Sequence, residues 1–402
     1  MRLGEEIALT GSDKQASGDS AGMTRFVLDV PDDQIEDLRH RLRRARLPEA
    51  ETVRDWSQGI PRSYVAELCR YWLEEYDWRR LEAELNGRSQ WRTTIGGLGI
   101  HFLHVRSGRP DARPLLITHG WPGSVVEFLD VLDELIAPAP SDPAFHVVAP
   151  SLPGFGFSDK PAEPGWGVER IADAWAELLS RLGYERFLAQ GGDWGAFIST
   201  ALAIRHPDRV EALHTTMPLV QPPPGFSADD LTDSERADLA EAEEVRSAER
   251  GYRMQQSTRP QTLGYGLADS PAGQLAWIIE KFHSWTDCDG HPENAVSRQR
   301  LLDNVAVYWF RSCGTSSARL YWESAPRLDR ISPVGVPTAV SVFPKEPFRS
   351  PRAWVEARYL DLRYWNVLDR GGHFPSLEVP HVFAAELRAA FGQGLSTKPG
   401  RA

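Results

Sequence analysis

The chain has 402 residues, 41% hydrophobic and 25% charged, which suits a soluble globular protein of one large elaborated domain or of two domains. Its net charge of −11 argues against nucleic-acid binding, and no run approaches the roughly 20 apolar residues of a membrane span. Cys69, Cys288 and Cys313 are sparse and lack metal-ligand spacing, so they read as reduced thiols in a cytoplasmic setting, with no metal site.

The first 22 residues are polar and lack a signal-peptide core; they read as a disordered tail, or as residues ahead of a start at Met23. Residues 26–90 read as helical. Pro31-Asp32-Asp33 opens a helix with Ile35, Leu38 and Leu42 on its apolar side, and the basic run from Arg39 to Arg46 is its solvated face. A second apolar periodicity runs through Val65, Leu68, Cys69 and Trp72. From Trp91 the pattern turns to strands: Thr93–Ile95, a Gly96-Gly97 turn and Ile100–Val105 predict a hairpin. Apolar strands at 114–118, 145–149, 186–190, 210–216, 337–342 and 363–368 then alternate with helices, which predicts an α/β fold with a mostly parallel sheet flanked by helices. Between 217 and 335 the alternation fails. That stretch opens on Pro222-Pro223-Pro224 and reads as a helical insertion after the sixth core strand.

Gly191-Gly192-Asp193-Trp194-Gly195 carries the most chemical information. A short strand precedes it, and a helix from Ala196 to His206 follows. This is the strand–turn–helix setting of the α/β-hydrolase nucleophile elbow, with aspartate where esterases carry serine. A carboxylate nucleophile attacks an sp3 carbon and leaves an alkyl ester, which directs the chemistry to epoxide opening or carbon–halogen cleavage. The order nucleophile, acid, histidine then picks out partners. His373, in Gly371-Gly372-His373-Phe374, follows the strand ending at Leu368 and is the candidate base; the plain alternative is a structural loop histidine. Glu346 is the first carboxylate past the strand Thr338–Val342 and is the candidate orienting acid, with Asp361 and Asp369 in reserve. In His119-Gly120-Trp121-Pro122-Gly123 the N–H of Trp121 is a candidate oxyanion donor, joined by the N–H of Trp194. The same turn predicts a cis Trp121–Pro122 bond. His119 reads as structural. No step of this chemistry calls for a cofactor.

With these motifs on the page, the chain resembles an epoxide hydrolase of the microsomal and juvenile-hormone type. The resemblance runs from about Phe26 to about Phe391. It rests on Arg46-Leu47-Pro48, Tyr71-Trp72 and Tyr76-Asp77-Trp78-Arg79 in the N-terminal part. In the core it rests on His119 to Ser124, Pro153 to Ser158, Gly191 to Gly195, and Arg370 to Phe374. It implies an α/β-hydrolase fold divided as tail 1–22, N-terminal helical domain 23–90, core 91–220, lid 221–335 and core 336–402. It also implies two lid tyrosines that hydrogen-bond the epoxide oxygen, and these map to Tyr252 and Tyr321; Tyr265 and Tyr308 read as interface or core residues. A phenol with its ordinary pKa near 10 donates without ionising at neutral pH. The implied partners are a small-molecule epoxide and water. The polar N-terminus implies a soluble bacterial form without the membrane anchor of mammalian members, and leaves the assembly open between monomer and homodimer. A haloalkane or haloacid dehalogenase shares the aspartate nucleophile but needs neither the phenol pair nor the N-terminal domain. A non-catalytic binding protein of this fold has no need of an intact Asp193, His373 and Glu346 set.

Overall fold

In a computed structural model that describes residues 22–226 and 231–392, nine strands form one sheet among the described residues. They are β1 (Met23–Arg25), β2 (Gln90–Ile95), β3 (Leu98–Val105), β4 (Arg113–Thr118), β5 (Phe145–Pro150), β6 (Phe187–Gly191), β7 (Val210–Thr215), β8 (Thr338–Val342) and β9 (Leu362–Val367). Their spatial order is β1-β2-β3-β5-β4-β6-β7-β8-β9. The first three pairings, β1 to β2, β2 to β3 and β3 to β5, are antiparallel, and every pairing from β5 through β9 is parallel. The predicted hairpin is β2 and β3, joined at Ile95↔Leu98. The central strands are buried on both faces, which is why Leu115-Leu116-Ile117 and Phe187-Leu188-Ala189 are unbroken apolar runs.

The N-terminal region is helical in pieces: α1 (Asp32–Arg43), α2 (Arg62–Glu74) and α3 (Trp78–Asn86). Leu38 and Leu42 are buried beneath α1 while Arg39 and Arg43 face solvent, as the amphipathic pattern requires. Reading 26–90 as uniformly helical was too broad. No helix forms between α1 and α2, and β1, whose three residues are too short to show alternation, adds an edge to the sheet. The expected tail falls on residues 1–21, outside the described residues, apart from Gly22.

The core helices are α4 (Leu132–Ile136), α5 (Val168–Arg181) and α6 (Asp193–Arg205). α6 begins at Asp193, three residues before the expected Ala196, because the motif turn is itself the helix N-terminus. The insertion between β7 and β8 holds α7 (Asp233–Ala248), α8 (Arg250–Thr258), α9 (Pro260–Asp269), α10 (Pro271–Trp285), α11 (Arg298–Phe310) and α12 (Gly314–Ser324). Proline opens both α9 and α10, where its missing N–H costs no intrahelical bond. After β8 come α13 (Arg352–Arg358), α14 (Pro375–Glu378) and α15 (Pro380–Phe391). α6 packs on β4, β6 and β7, and α15 on β7 and β8. No helix among the described residues is long and apolar enough to cross a membrane, and all three cysteines are free and buried.

Candidate active site

β4, β6, β8 and β9 run parallel, so their C-terminal ends share one edge of the sheet, where ligands collect in such folds. The loops after these strands carry Trp121, Asp193, Glu346 and His373 respectively. Four segments distant in sequence thus meet at one place.

Asp193 stands at the first position of α6 with φ +48°, a left-handed conformation that costs an L-residue about 1–3 kcal/mol. Neighbouring backbone holds it there. A Cβ on Gly195 would lie 1.9 Å from the Thr118 carbonyl oxygen, and one on Gly120 would lie 2.1 Å from Asp193 Oδ1. Only glycine allows the elbow to seat this closely on the β4 loop. The Trp121 N–H donates to Asp193 Oδ1 at 2.7 Å, and the Trp121–Pro122 bond is cis. Trp194 is the second residue of α6, where helix geometry gives an N–H no intrahelical acceptor.

The His373 loop is docked by its backbone. His373 N–H donates to Trp285 O at 2.8 Å, Gly371 N–H to Asp287 Oδ2 at 3.0 Å, and Lys345 N–H to Gly371 O at 3.1 Å. The last of these ties the β8 loop to the β9 loop and brings Glu346 to the histidine. Glu346 takes the His373 Nδ1 hydrogen at 2.8 Å on Oε2 and 3.0 Å on Oε1, while the Phe348 N–H donates to Oε1 at 3.0 Å. His373 Nε2 faces Asp193 Oδ2 at 3.4 Å. Burial opposes an imidazolium here, but Glu346 and Asp193 outweigh it and raise the His373 pKa well above its ordinary value. The reserve acids do not compete. Asp361 sits at the N-terminal end of β9, on the opposite edge of the sheet, paired with Arg363, and Asp369 is exposed.

Tyr252 on α8 and Tyr321 on α12 are both buried and pack on the two tryptophans. Tyr252 stacks on Trp121 with ring centres 5.0 Å apart and planes 7° apart. Tyr321 sets its edge against Trp194 at 4.7 Å and against Tyr252 at 5.9 Å. Burial first, then the Asp193 charge, raises the Tyr252 phenol well above its ordinary value; burial, then Tyr252 and Asp193, do the same to Tyr321. Both therefore stay protonated and able to donate. Of the other tyrosines weighed, Tyr265 is on the surface, and Tyr308 donates to Gly123 O at 3.0 Å in the core. His119 is buried and held by backbone: its Nε2 accepts the Leu152 N–H at 3.2 Å and burial pushes its pKa down to about 4, a structural neutral histidine.

Two neighbours escaped the sequence reading. Lys281 on α10 places its ammonium 4.8 Å above the Tyr252 ring and bonds Glu249 at 2.6 Å and Glu280 at 2.7 Å. Nothing in the amphipathic pattern of α10 marks that pairing. Glu127 lies in a 3-10 turn, Val125–Phe128, and is buried beside Asp193 and His373. Its place among Val125, Val126, Phe128 and Leu129 was the available signal, because a lone carboxylate in an apolar run implies a buried partner.

Residues 23–128 match the family described as epoxide hydrolase N terminus, and residues 113–249 match the alpha/beta hydrolase fold. Over 376 residues the chain is 51% identical to a protein of Stigmatella aurantiaca provisionally named an epoxide hydrolase, covering 92% of this chain and 85% of that one. It is 34% identical over 414 residues to epoxide hydrolase 1 of Sus scrofa, covering 94% and 90%. The crystal structure of juvenile hormone epoxide hydrolase from the silkworm Bombyx mori superposes with a TM-score of 0.87 at 32% identity, covering 93% of this chain and 95% of that one.

Proposed function

The chain belongs to the epoxide hydrolases, and on that premise we propose that it converts an epoxide to a vicinal diol through an ester on Asp193. Residues 221–335 act as the lid over a core of 91–220 and 336–402, with 23–90 as the N-terminal domain. Trp121 N–H holds Oδ1, so Oδ2 is the oxygen that attacks. It forms a bond to one ring carbon as the ring C–O bond breaks. Tyr252 and Tyr321 hydrogen-bond the departing oxygen, and one phenol gives it a proton.

Asp193 is then neutral, and one of the two charges that kept His373 protonated is gone. The imidazolium returns a proton to the phenolate, leaving His373 neutral, and Glu346 fixes its orientation. His373 now takes a proton from water as the water oxygen attacks Cγ of the ester. The N–H groups of Trp121 and Trp194 hold the tetrahedral oxyanion; one such donor is worth about 3 kcal/mol. Collapse breaks the bond from Cγ to the alkyl oxygen. The new carboxylic acid protonates the diol oxygen, and the resting carboxylate and imidazolium are restored.

The observation that carries this reading is the convergence of Asp193, His373 and Glu346 with two buried phenols stacked on the tryptophan whose N–H holds the nucleophile. In water labelled with oxygen-18, label should enter the Asp193 side chain over many turnovers. Sustained turnover with an unlabelled Asp193 rules out the ester.

A further inference from the structure

A cavity of about 20 Å³, large enough for one water, is lined by Thr118, Gln190, Thr216, Glu127, Asp193 and His373, among others. Three of these lining residues carry a buried polar atom short of a hydrogen bond among the described residues: Thr118 Oγ1, Gln190 Oε1, and His373 Nε2, which has the 3.4 Å ion contact with Asp193 Oδ2. Buried polar groups are normally satisfied by protein or by ordered water, so three around one small cavity need a common partner.

Glu127 reaches the same cavity by an unusual route. Its side chain folds back against the Gly120–Gly123 loop, where a Cβ on residue 123 would stand only 1.4 Å from Glu127 Oε1. Glycine at 123 is therefore what admits the carboxyl. The Ser124 N–H supports it, and burial pushes its pKa up to about 8, against the pull of His373 and with the push of Asp193. At neutral pH it carries a proton and donates.

We propose that Glu127, with Gln190, holds the water that His373 deprotonates, and is thus a positioning residue for ester hydrolysis. This rests on the covalent reading above. The hydrogen-bond inventory is complete. The water gives one hydrogen to neutral His373 Nε2 and one to Gln190 Oε1. One lone pair accepts from Glu127, and the other is left for Cγ of the ester. Ring opening uses no water, so Glu127 should matter only to the second step.

The test is single-turnover kinetics on folded Glu127→Leu and Glu127→Gln, followed by intact-protein mass. The substrate is whichever of styrene oxide and 1,2-epoxyhexane wild type converts faster. Glu127→Leu should form the ester at close to the wild-type rate and hydrolyse it about tenfold more slowly, the effect of one lost neutral hydrogen bond on a barrier. Glu127→Gln, which still hydrogen-bonds, should recover most of that loss. Gln190→Leu removes another bond to the same water and should show the same split, which decides the matter if Glu127→Leu does not fold. The proposal is overturned if the variants hydrolyse the ester normally, if both steps fall together, or if Glu127→Gln is no better than Glu127→Leu. If no ester is found on wild type or on His373→Gln, the covalent reading fails and this proposal falls with it; an ester that Glu127→Leu hydrolyses normally sinks this proposal alone.

Discussion

Removing a single phenol oxygen tests the ring-opening step with little collateral damage. In Tyr321→Phe the ring keeps its edge contacts with Trp194 at 4.7 Å and Trp121 at 5.8 Å, so the packing that places it survives. Tyr321 is only 3% exposed, so solvent cannot replace the lost donor. A donor removed from a dry site costs about 2–4 kcal/mol of barrier, or about 30- to 1000-fold in rate. Tyr252→Phe keeps its stack on Trp121 and should behave alike. The two phenols serve one oxygen, so the double variant should be slower than either single variant. The assay is quenched-flow alkylation with enzyme in excess, scored by intact-protein mass. Ester hydrolysis, measured after the ester has formed, should be nearly unchanged. If both single variants alkylate at the wild-type rate, the phenols are structural and the assigned ring-opening chemistry is wrong.

His373→Gln should alkylate and then stall, so a mass increase of one substrate should persist on the protein; wild-type turnover in this variant would show that another group is the base. Glu346→Gln should slow the same hydrolysis step less severely, since Glu346 orients and stabilises the imidazolium without itself accepting the water proton; slowed alkylation with normal hydrolysis would contradict that role. Lys281→Met leaves Glu249 and Glu280 without their shared cation and removes the ammonium above Tyr252, so stability should fall by up to about 3 kcal/mol, read as a lower melting temperature; an unchanged melting curve would show that the cluster contributes nothing. Because folding raises the His373 pKa, the imidazolium's contribution is fully present below its unfolded value of about 6.5 and is lost as pH rises through the folded one. The stability margin of wild type over His373→Gln, from urea midpoints, should therefore shrink above neutral pH; a margin that grows with pH reverses the sign and refutes the assignment.

The parts legible in the sequence are those where local geometry forces residue identity. Gly195 and Gly120 leave no room for a side chain, since a Cβ on either would lie about 2 Å from the Thr118 carbonyl oxygen or from Asp193, so the elbow and the loop opposite it appear as written motifs. The parallel strands were legible because burial on both faces demands unbroken apolar runs. The contact of Glu346 with His373 was foreseeable from its position after β8, a rule of chain order and topology. Tyr252 and Tyr321 came only from resemblance, because a tyrosine facing a site and one facing the core fit the same helical spacing. Glu127 was missed, although it interrupts an apolar run, because its role depends on a fold-back against buried Gly123, four residues earlier, which no periodicity reports. The Lys281 ammonium over Tyr252 joins α10 to α8 through tertiary packing alone. β1 was missed because three residues cannot display a period of two.

Under the proposed mechanism, the charges in the pocket let one histidine serve both halves of the reaction. At rest Asp193 and Glu346 flank His373, and their combined field overrides burial to keep it protonated. A protonated histidine cannot activate water, so the resting enzyme is poised for ring opening and not for hydrolysis. In the proposed mechanism alkylation removes the Asp193 charge, and the same imidazole then becomes the base that the ester requires. The retained Glu346 charge then offsets the imidazolium created as water is deprotonated, at 2.8 Å and out of solvent, where an unpaired cation would be costly. On the proposed mechanism, the charge of the nucleophile thus switches the imidazole from acid to base between the two steps.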